Sequence, residues 1–322
     1  MGKTIKSIKL FNTKNMTRQQ WLEARQNGIG GSDASAIAGL SKWSNPIKVY
    51  SEKVDLILEK NEEEENHFMK WGNKLEHIIR ENFKEDHPQY KVQKSNFMWQ
   101  HPIHKFMIAN VDGLIYDKEK GWGVLEIKNV SQYTSKEWNG ETIPEHYLIQ
   151  FQHYLAVLGL DWGHFAILIG GNEDKTWYVE RDDELIDSLI QIEKAFWENH
   201  VVPEIPPEFD GSDASKTILN MLYPPEKAID ETIDLPETAG ELIEQFHSAQ
   251  EQEKVAKDLK DEAANKLKSF LGERTKGFYH DKKVVWSKTT STKFDKKALA
   301  KNHPEIYEKY ISKTEGRRFS IS

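Results

Sequence analysis

Residues 122–130 form an apolar segment that carries two opposite charges at alternate positions. Residues 123–128 read GVLEIK. In a β-strand, side chains alternate between the two faces, so Glu126 and Lys128 project from one face and Ile127 from the other. Burying a carboxylate and an ammonium group on an apolar strand costs free energy unless each charge has a partner or binds a ligand. This strand therefore constrains the surrounding sheet and its chemistry.

A second carboxylate lies fourteen residues upstream of Glu126, at the end of another apolar segment. Residues 106–113 read FMIANVDG, so Asp112 closes a predicted strand, and Gly113 lets the backbone turn or approach a ligand closely. Two adjacent antiparallel strands would bring Asp112 beside Glu126. Two carboxylates this close are tolerated best with a divalent cation between them. The alternatives are an Asp-Gly turn for Asp112 and a cross-strand salt bridge for Glu126 and Lys128.

Hydrolysis of phosphodiesters is one reaction that uses such a set of side chains. The carboxylates bind Mg²⁺, which holds a water molecule and a phosphate oxygen. The lysine orients or deprotonates that water and offsets the charge that develops on the phosphate oxygens. Similar acid-x-lysine triplets begin at Asp258, Asp281 and Asp295. They lie in charged helical or turn-like surroundings, without an apolar strand around them.

Glu76 is a third candidate carboxylate, on a predicted helix over residues 68–84. It lies three residues before Ile79 and seven before Phe83, so it borders the apolar face of that helix. It could complete the metal shell. A pair with Arg80 at i+4 is an equally good interpretation.

The remaining pattern predicts an α/β fold, with a mixed central sheet flanked by helices. The glycine-rich turn at 28–33 leads into a helix that Ser32 or Asp33 caps and Gly39 ends. The other predicted elements of this part are helices at 46–59, 68–84, 144–159 and 182–200, an antiparallel meander of strands at 90–99, 104–116 and 122–130, and strands at 164–170 and 175–181.

Three prolines between residues 203 and 207 predict a domain boundary, which gives a core of residues 1–202 and a C-terminal extension of residues 203–322. The extension is expected to be largely helical. Its long helix, 239–271, has a nearly heptad apolar seam that Glu253 and Lys260 interrupt. We expect this helix to pack on a neighbour, with a coiled coil as the alternative. A strand pair over 277–288 and a terminal helix follow.

Charge and composition exclude several classes of protein. The chain has no cysteine, so disulfides, thiolate metal sites and cysteine nucleophiles are excluded. No apolar run is long enough for a signal peptide or a membrane span, which predicts a soluble intracellular protein. The net charge is −8, but residues 276–322 carry +7, so the first 275 residues carry −15, part of it in the acidic run 62–65. A basic tail is compatible with DNA binding, although a solvated surface is the simpler interpretation.

Five ordered motifs resemble those of the YqaJ viral recombinase family, which comprises lambda-exonuclease-like PD-(D/E)xK nucleases with a restriction-endonuclease-like fold. The resemblance covers roughly residues 20–200. The motifs are Arg25 with GIGGSDAS at 28–35, WGNKLE at 71–76, ANVDGL at 109–114, LEIK at 125–128 and YLIQFQHY at 147–154. Val111 stands where the name of the superfamily has proline, a position that varies in such motifs.

The resemblance implies a metal site and its ligands. Asp112 and Glu126 would bind Mg²⁺ with the help of the Ile127 carbonyl. Glu76 would be the helix carboxylate near a second ion. Two Mg²⁺ ions are expected, and Mn²⁺ could substitute for them.

The resemblance also implies roles for four further side chains. Lys128 would position the attacking water, and Gln150, or else Gln152, would contact that water or the lysine. Arg25 and Ser32 match the family's pocket for the 5′-phosphate of a recessed strand. A guanidinium, a hydroxyl and a helix N-terminus together suit a phosphate dianion, although Ser32 also suits an ordinary helix cap.

The implied function is a Mg²⁺-dependent 5′-to-3′ exonuclease that acts on the ends of double-stranded DNA. In phage-type homologous recombination it would supply single strands to an annealing protein. A homo-oligomer, with a ring as one form, and a location in the cytoplasm of a bacterial host are expected with it. Two alternatives stay open: an endonuclease on the same fold, of the restriction or junction-cutting kind, and a non-catalytic recombination adaptor that binds DNA or an annealing protein through the basic tail.

Overall fold

The structure is a computed structural model that describes residues 7–55, 67–138, 142–312 and 316–321. The acidic run 62–65 and the last residues of the helix predicted over 46–59 lie outside this described part. The chain divides into two compact units, Met1–Tyr223 and Pro224–Ser322.

The first unit combines helices and strands along the chain. Its helices are α1 (Arg18–Arg25), α2 (Gly31–Ile37), α3 (Pro46–Lys53), α4 (His67–Asp86), α5 (Glu145–Leu158), α6 (Asp183–Phe196) and α7 (Asp213–Leu222). Its strands are β1 (Ile8–Asn12), β2 (Lys91–Lys94), β3 (Phe97–Gln100), β4 (Ile108–Ala109), β5 (Gly113–Asp117), β6 (Gly121–Val130), β7 (Trp162–Ile169) and β8 (Glu173–Glu180). Short 3-10 and π segments occupy Gln132–Trp138 and Trp197–Val201.

The central sheet has five strands in the order β2-β5-β6-β7-β8. Strands β6 and β7 run parallel, joined through α5, and the other pairs are antiparallel. This arrangement confirms the predicted mixed sheet flanked by helices. Gly113 pairs with Leu125 in the β5–β6 register, so the residue before β5, Asp112, lies beside Glu126.

The predicted single meander over three segments is wrong, because residues 90–99 and residues 104–116 each supply strands to two different sheets. Strand β2 joins the central sheet, whereas β3 pairs with β1 and β4 in a separate three-stranded sheet. The polar pair Ser95-Asn96 separates the two strands. Trp99 on β3 is buried and donates from Nε1 to Ser95 Oγ at 3.0 Å. This hydrogen bond ties β3 to the short segment that joins it to β2.

Strand β6 is covered on both faces. On one face, Leu125 and Ile127 pack with Ile79 and Phe83 of α4. On the other, Val124 packs in the cluster that contains α5 and β7. By alternation Glu126 and Lys128 share the face of Val124, so the charged pair of β6 points toward α5.

The helix bounds largely match the predictions. Helix α5 begins after Pro144 and ends at Gly159, which adopts a left-handed φ of 65°. Helix α3 begins at Pro46 as predicted but ends at Lys53, earlier than the predicted end at residue 59, because Asp55 adopts a left-handed φ of 55°. The cap of α2 was predicted wrongly. The helix begins at Gly31 with Gly30 as its cap, because Asp33 reaches back to accept a hydrogen bond from Gly30 N at 2.9 Å.

The contact-defined boundary differs from the boundary predicted at residues 202 and 203. It follows Tyr223, because α7 packs against α3 and belongs to the first unit. The Asn45 side chain that caps α3 also donates from Nδ2 to Asp210 Oδ2 and Ser212 Oγ, both at 2.8 Å. These bonds tie the segment after the prolines to the core.

The second unit contains the predicted long helix α8 (Ala239–Leu271) and a hairpin of β9 (Lys276–Tyr279) and β10 (Lys282–Val285). The predicted terminal helix is two short helices, α9 (Lys296–Asn302) and α10 (Pro304–Tyr310), because Pro304 starts a new helix. Helix α8 buries only Leu271. Within the described part of this unit, the packing predicted for its apolar seam is limited, since Phe246 contacts Phe319 edge to face at a ring-centroid distance of 5.8 Å and the seam positions of the helix are exposed. No helix in the described ranges is long and apolar enough to cross a membrane.

The close contact between β6 and β7 yields a stability prediction for Gly163→Ala. A Cβ at Gly163 would lie 2.2 Å from Val124 O and 2.8 Å from Phe151 Cζ. We expect the substitution to lower the free energy of unfolding by about 1–3 kcal/mol, the usual cost of overpacking. Urea denaturation measures it, with Gly211→Ala as a control because no atom lies within 4 Å of that Cβ position. Equal midpoints for the two variants would contradict this packing.

Candidate active site

Glu126 is the centre of a hydrogen-bonded cluster on β6. Its side chain is buried, and Oε1 accepts from Lys128 Nζ at 2.6 Å and from Gln150 Nε2 at 2.8 Å. Lys128 keeps part of its side chain in solvent. The alternation of β6 places the two charges together, and α5 supplies Gln150 opposite them.

Asp112 joins this cluster from the turn that leads into β5. Its Oδ2 accepts a hydrogen bond from Ile127 N at 2.8 Å. The β5–β6 register places Asp112 beside Glu126, and each of the two acids shifts the pKa of the other. The structure thus brings together the three side chains that the sequence singled out, from neighbouring strands.

The electrostatics of the cluster follow from burial and from two adjacent acids. Burial, reinforced by the charge of Asp112, raises the pKa of Glu126 to about 8 although Lys128 opposes the shift. Burial also raises the pKa of Asp112, again against Lys128. Burial alone would lower the pKa of Lys128, but the charges of Glu126 and Asp112 raise it above its ordinary value. The lysine therefore stays charged, and without a cation the two acids tend to share a proton.

One atom of the cluster is suited to a cation. Glu126 Oε2 is buried and has no hydrogen-bond partner among the residues that the structure describes, although a buried carboxylate oxygen needs a donor or a positive charge. Mg²⁺ is usually bound through one or two carboxylates, with water and substrate phosphate completing its shell. Glu126 and Asp112 fit that description. In the described ranges no group of three or more His, Cys, Asp and Glu side chains is placed to hold a metal.

Glu76 lies at the edge of this site and contacts two basic side chains. Its Oε1 accepts from Arg80 Nη1 at 2.7 Å and forms an ion pair with Lys94 at 3.1 Å. Arg80 also donates to Asp112 O at 3.3 Å, and Glu76 contributes to the raised pKa of Asp112 after burial. The i+4 pair with Arg80 is therefore present. A role for Glu76 at a second ion stays a prediction, as does the ligand role of the Ile127 carbonyl.

The two glutamines of α5 have different surroundings. Gln150 contacts Glu126, as described above. Gln152 donates to Glu180 O at 2.7 Å and accepts from Asp182 N at 3.0 Å, so it fastens the end of β8. The alternative that placed Gln152 in the site is wrong.

Arg25 and Ser32 meet at the start of α2. Arg25 Nη2 lies 3.3 Å from Ser32 Oγ and 2.6 Å from Asp33 Oδ1. Because α2 begins at Gly31, Ser32 is in its first turn, where unpaired backbone N–H groups favour an anion.

Asp33 and Lys53 also belong to this group, and no motif in the sequence pointed to Lys53. Lys53 Nζ lies 2.7 Å from Asp33 Oδ2 and donates to Arg25 O at 3.0 Å. Burial alone would raise the pKa of Asp33, but Arg25 and Lys53 hold it well below its usual range. Asp33 is thus a buried anion that orients two cations.

A cavity of about 520 Å³ joins the two clusters. Arg25, Ser32 and Asp33 line one part, and Lys128 with Gln150 lines another. Tyr154 also lines it, one turn after Gln150 on α5. The helical spacing of Tyr147, Gln150 and Tyr154 is visible in the sequence and could have indicated this face.

Comparisons with known proteins show the family of this chain. The family model of the YqaJ-like viral recombinase domain matches residues 20–161, a range that contains both clusters. The Uncharacterized protein YqaJ of Bacillus subtilis (strain 168) is 36% identical over 315 residues, 97% of this chain and 96% of that protein.

Solved structures show a similar fold. The structure of LHK-Exo in complex with dAMP has a TM-score of 0.50 at 23% identity and covers 58% of this chain and 94% of that one. The alkaline exonuclease LHK-Exo from Laribacter hongkongensis has a TM-score of 0.49 at the same identity and coverage. The predicted fold class, an α/β fold of the restriction-endonuclease-like kind with a helical C-terminal region, is confirmed.

The buried ion group at α2 yields a prediction for Asp33→Asn. Removing the charge leaves Arg25 and Lys53 without their shared partner, so we expect a loss of about 3 kcal/mol in the free energy of unfolding at pH 7. Because the folded pKa of Asp33 is depressed, its contribution is present above the unfolded pKa of about 3.9 and is lost as pH falls below it.

The measurement is urea denaturation at pH 7, 5 and 3.5. The difference in the free energy of unfolding between wild type and Asp33→Asn should be constant from pH 7 to pH 5 and should become smaller at pH 3.5. The exposed Asp187 of α6 supplies the control, Asp187→Asn. A difference in the free energy of unfolding that grows as the pH falls would contradict the lowered pKa of Asp33.

Proposed function

The chain belongs to the family of the YqaJ-like viral recombinase domain, and on this premise we propose that it is a metal-dependent exonuclease acting on the ends of double-stranded DNA. The observation that carries the proposal is the single cavity that joins the Arg25–Ser32 group to Lys128 and Gln150, next to the paired acids Asp112 and Glu126. A pocket for an anion and a hydrolytic cluster in one cavity suit the terminal nucleotide of a strand.

The LHK-Exo complex of similar fold supports this proposal because it holds dAMP, a nucleoside monophosphate. A mononucleotide is the product that the cavity of this chain would release from a DNA strand.

Side chains of β6 and of the turn before β5 have separate roles in the proposed hydrolysis. Asp112 and Glu126, with the Ile127 carbonyl, would hold Mg²⁺, with Mn²⁺ as a substitute and Glu76 near a second ion. The cation supplies Lewis acidity and lowers the pKa of a bound water. Gln150 donates to Glu126 Oε1, which leaves Oε2 turned away from that bond.

Lys128 acts on the phosphate and the attacking water. Its ammonium group is fixed by Glu126 at 2.6 Å and reaches the cavity, where it orients the water and offsets negative charge on the phosphate oxygens. Water oxygen bonds to phosphorus as the P–O3′ bond breaks. The released unit is a 5′-mononucleotide, and the shortened strand carries a new 5′-phosphate.

Arg25, Ser32 and the first turn of α2 bind the 5′-phosphate of the strand end. Because each cleavage makes another 5′-phosphate, the same pocket accepts every new end, and the enzyme proceeds 5′ to 3′. Such a pocket favours an exonuclease over an endonuclease or a non-catalytic adaptor, since neither needs to bind a strand terminus beside the hydrolytic residues.

The proposal extends to the biological role. Degradation of one strand would leave single-stranded DNA for an annealing protein in phage-type recombination, in the cytoplasm of a bacterial host. A homo-oligomer, with a ring as one form, would keep the enzyme on its duplex.

Lys128→Ala tests the hydrolytic assignment. We expect the rate on linear 5′-phosphorylated duplex with Mg²⁺ to fall about 10²–10³-fold, the cost of removing one group that stabilises developing charge. Release of nucleotides measures the rate, with and without a chelator. Lys175→Ala on the exposed strand β8 is the control and should match wild type. Equal rates for wild type and Lys128→Ala, or full activity without metal, would overturn the assignment.

Arg25→Gln tests the end-binding pocket. Wild type should degrade 5′-phosphorylated ends faster than 5′-hydroxyl ends, and the variant should lose about tenfold or more of that preference, because a hydrogen-bonded charge pair is removed. Arg18→Gln, exposed on the same helix, is the control. Nicking of closed circular DNA by wild type would favour an endonuclease instead.

A further inference from the structure

Tyr154 is a buried phenol in the wall of the cavity, and the mechanism above does not use it. Its side chain is 6% exposed. Its hydroxyl oxygen accepts a hydrogen bond from Gln150 Nε2 at 2.8 Å, the same nitrogen that donates to Glu126. The phenol is therefore linked to Glu126 of the hydrolytic cluster through a single side chain, Gln150.

The Tyr154 ring packs against Gly31, the first residue of α2, which has no side chain to keep it away. A Cβ at Gly31 would lie 2.7 Å from Tyr154 Cε1 and 3.0 Å from Cζ, the carbon that bears the hydroxyl. Only glycine lets the ring approach the first residue of α2 this closely. The hydroxyl thus lies beside the helix terminus that carries Ser32, as well as beside Gln150.

The proton of this hydroxyl has no acceptor among the described residues. A phenol both accepts and donates, but across the described part of the chain Tyr154 has hydrogen bonds only as an acceptor. A buried donor left unpaired costs free energy. Because the lone-pair side faces Gln150, the O–H is available to a ligand in the cavity that Tyr154 lines.

The charges around the cavity specify that ligand as an anionic oxygen. Tyr154 interacts electrostatically with Arg25 and with Lys128, the cations of the two clusters. Burial, reinforced by Glu126, raises the pKa of Tyr154 above its ordinary value, so the group stays a neutral donor. A phosphate oxygen held between the two cations would meet this donor directly.

We propose that the Tyr154 hydroxyl donates a hydrogen bond to a phosphate oxygen of the DNA strand in the cavity. Tyr154 then links the bound phosphate to Gln150 and, through it, to Glu126. The inference rests on the proposed function and adds a substrate-binding residue to it. The phosphate is either the terminal 5′-phosphate or the scissile one, and both present the same acceptor.

Tyr154→Phe tests the proposal with little disturbance, because the ring that packs on Gly31 remains. Binding of deoxyadenosine 5′-monophosphate and of deoxyadenosine to the full-length protein is measured by calorimetry. We expect the variant to bind the monophosphate about 10–100-fold more weakly, as for loss of a hydrogen bond to a charged group, and to bind the nucleoside as wild type does. Tyr116→Phe, on β5 outside the cavity lining, is the control.

Kinetics on 5′-phosphorylated and 5′-hydroxyl duplex identify the phosphate. A rise in KM confined to 5′-phosphorylated ends assigns the hydroxyl to the terminal phosphate, and a loss on both substrates assigns it to the scissile phosphate. Two results would overturn the inference: equal monophosphate binding by wild type and variant, or equal weakening for monophosphate and nucleoside, which indicates a role in cavity shape alone.

Failure of the inference is distinguishable from failure of the proposed function. A wild-type protein that digests DNA and binds the monophosphate, with a variant that does both equally well, removes only the Tyr154 assignment. A wild type without metal-dependent nuclease activity and without monophosphate binding removes both.

Discussion

The buried carboxylate of Glu126 is the constraint on which the site depends. It sits on a strand covered on both faces, so its charge has to be balanced locally. Lys128 and Gln150 both donate to Oε1, and no described residue is a hydrogen-bond partner of the second oxygen, Oε2. A protein that only needed to fill this position would gain stability from an apolar side chain. The unsatisfied oxygen beside Asp112 is instead what a cation-binding site requires.

The fold supplies each neighbour of Glu126 from a different element. The β5–β6 register sets Asp112 beside it, alternation along β6 adds Lys128, and α5, the crossover between the parallel strands β6 and β7, brings Gln150 over the same face. The apolar clusters on the two faces of β6 hold these elements in place. Close packing there leaves little freedom for the polar groups to rearrange.

The sequence predicted those parts of the site that depend on local geometry. The two-residue spacing of Glu126 and Lys128 and the strand pairing with Asp112 follow from β-sheet alternation. The division of residues 90–99 between two sheets depends on where Trp99 is buried, which no local pattern reveals. The contacts of Lys53 with Asp33 and of Tyr154 with Gly31 join residues distant in sequence, so they required the packing of α3 and α5 against α2.

The two clusters in the cavity have complementary electrostatics. At α2, the depressed pKa of Asp33 keeps it ionised between Arg25 and Lys53, so in the proposed function this group would suit a phosphate. At β6, the raised pKa values of Glu126 and Asp112 mean that a cation would bind there in exchange for a proton. A bound phosphate would add negative charge to the cavity and so favour the cation over the proton. If the proposed function holds, strand-end binding at α2 and cation binding at β6 would therefore reinforce each other, which would tie hydrolysis to the presence of a correctly seated end.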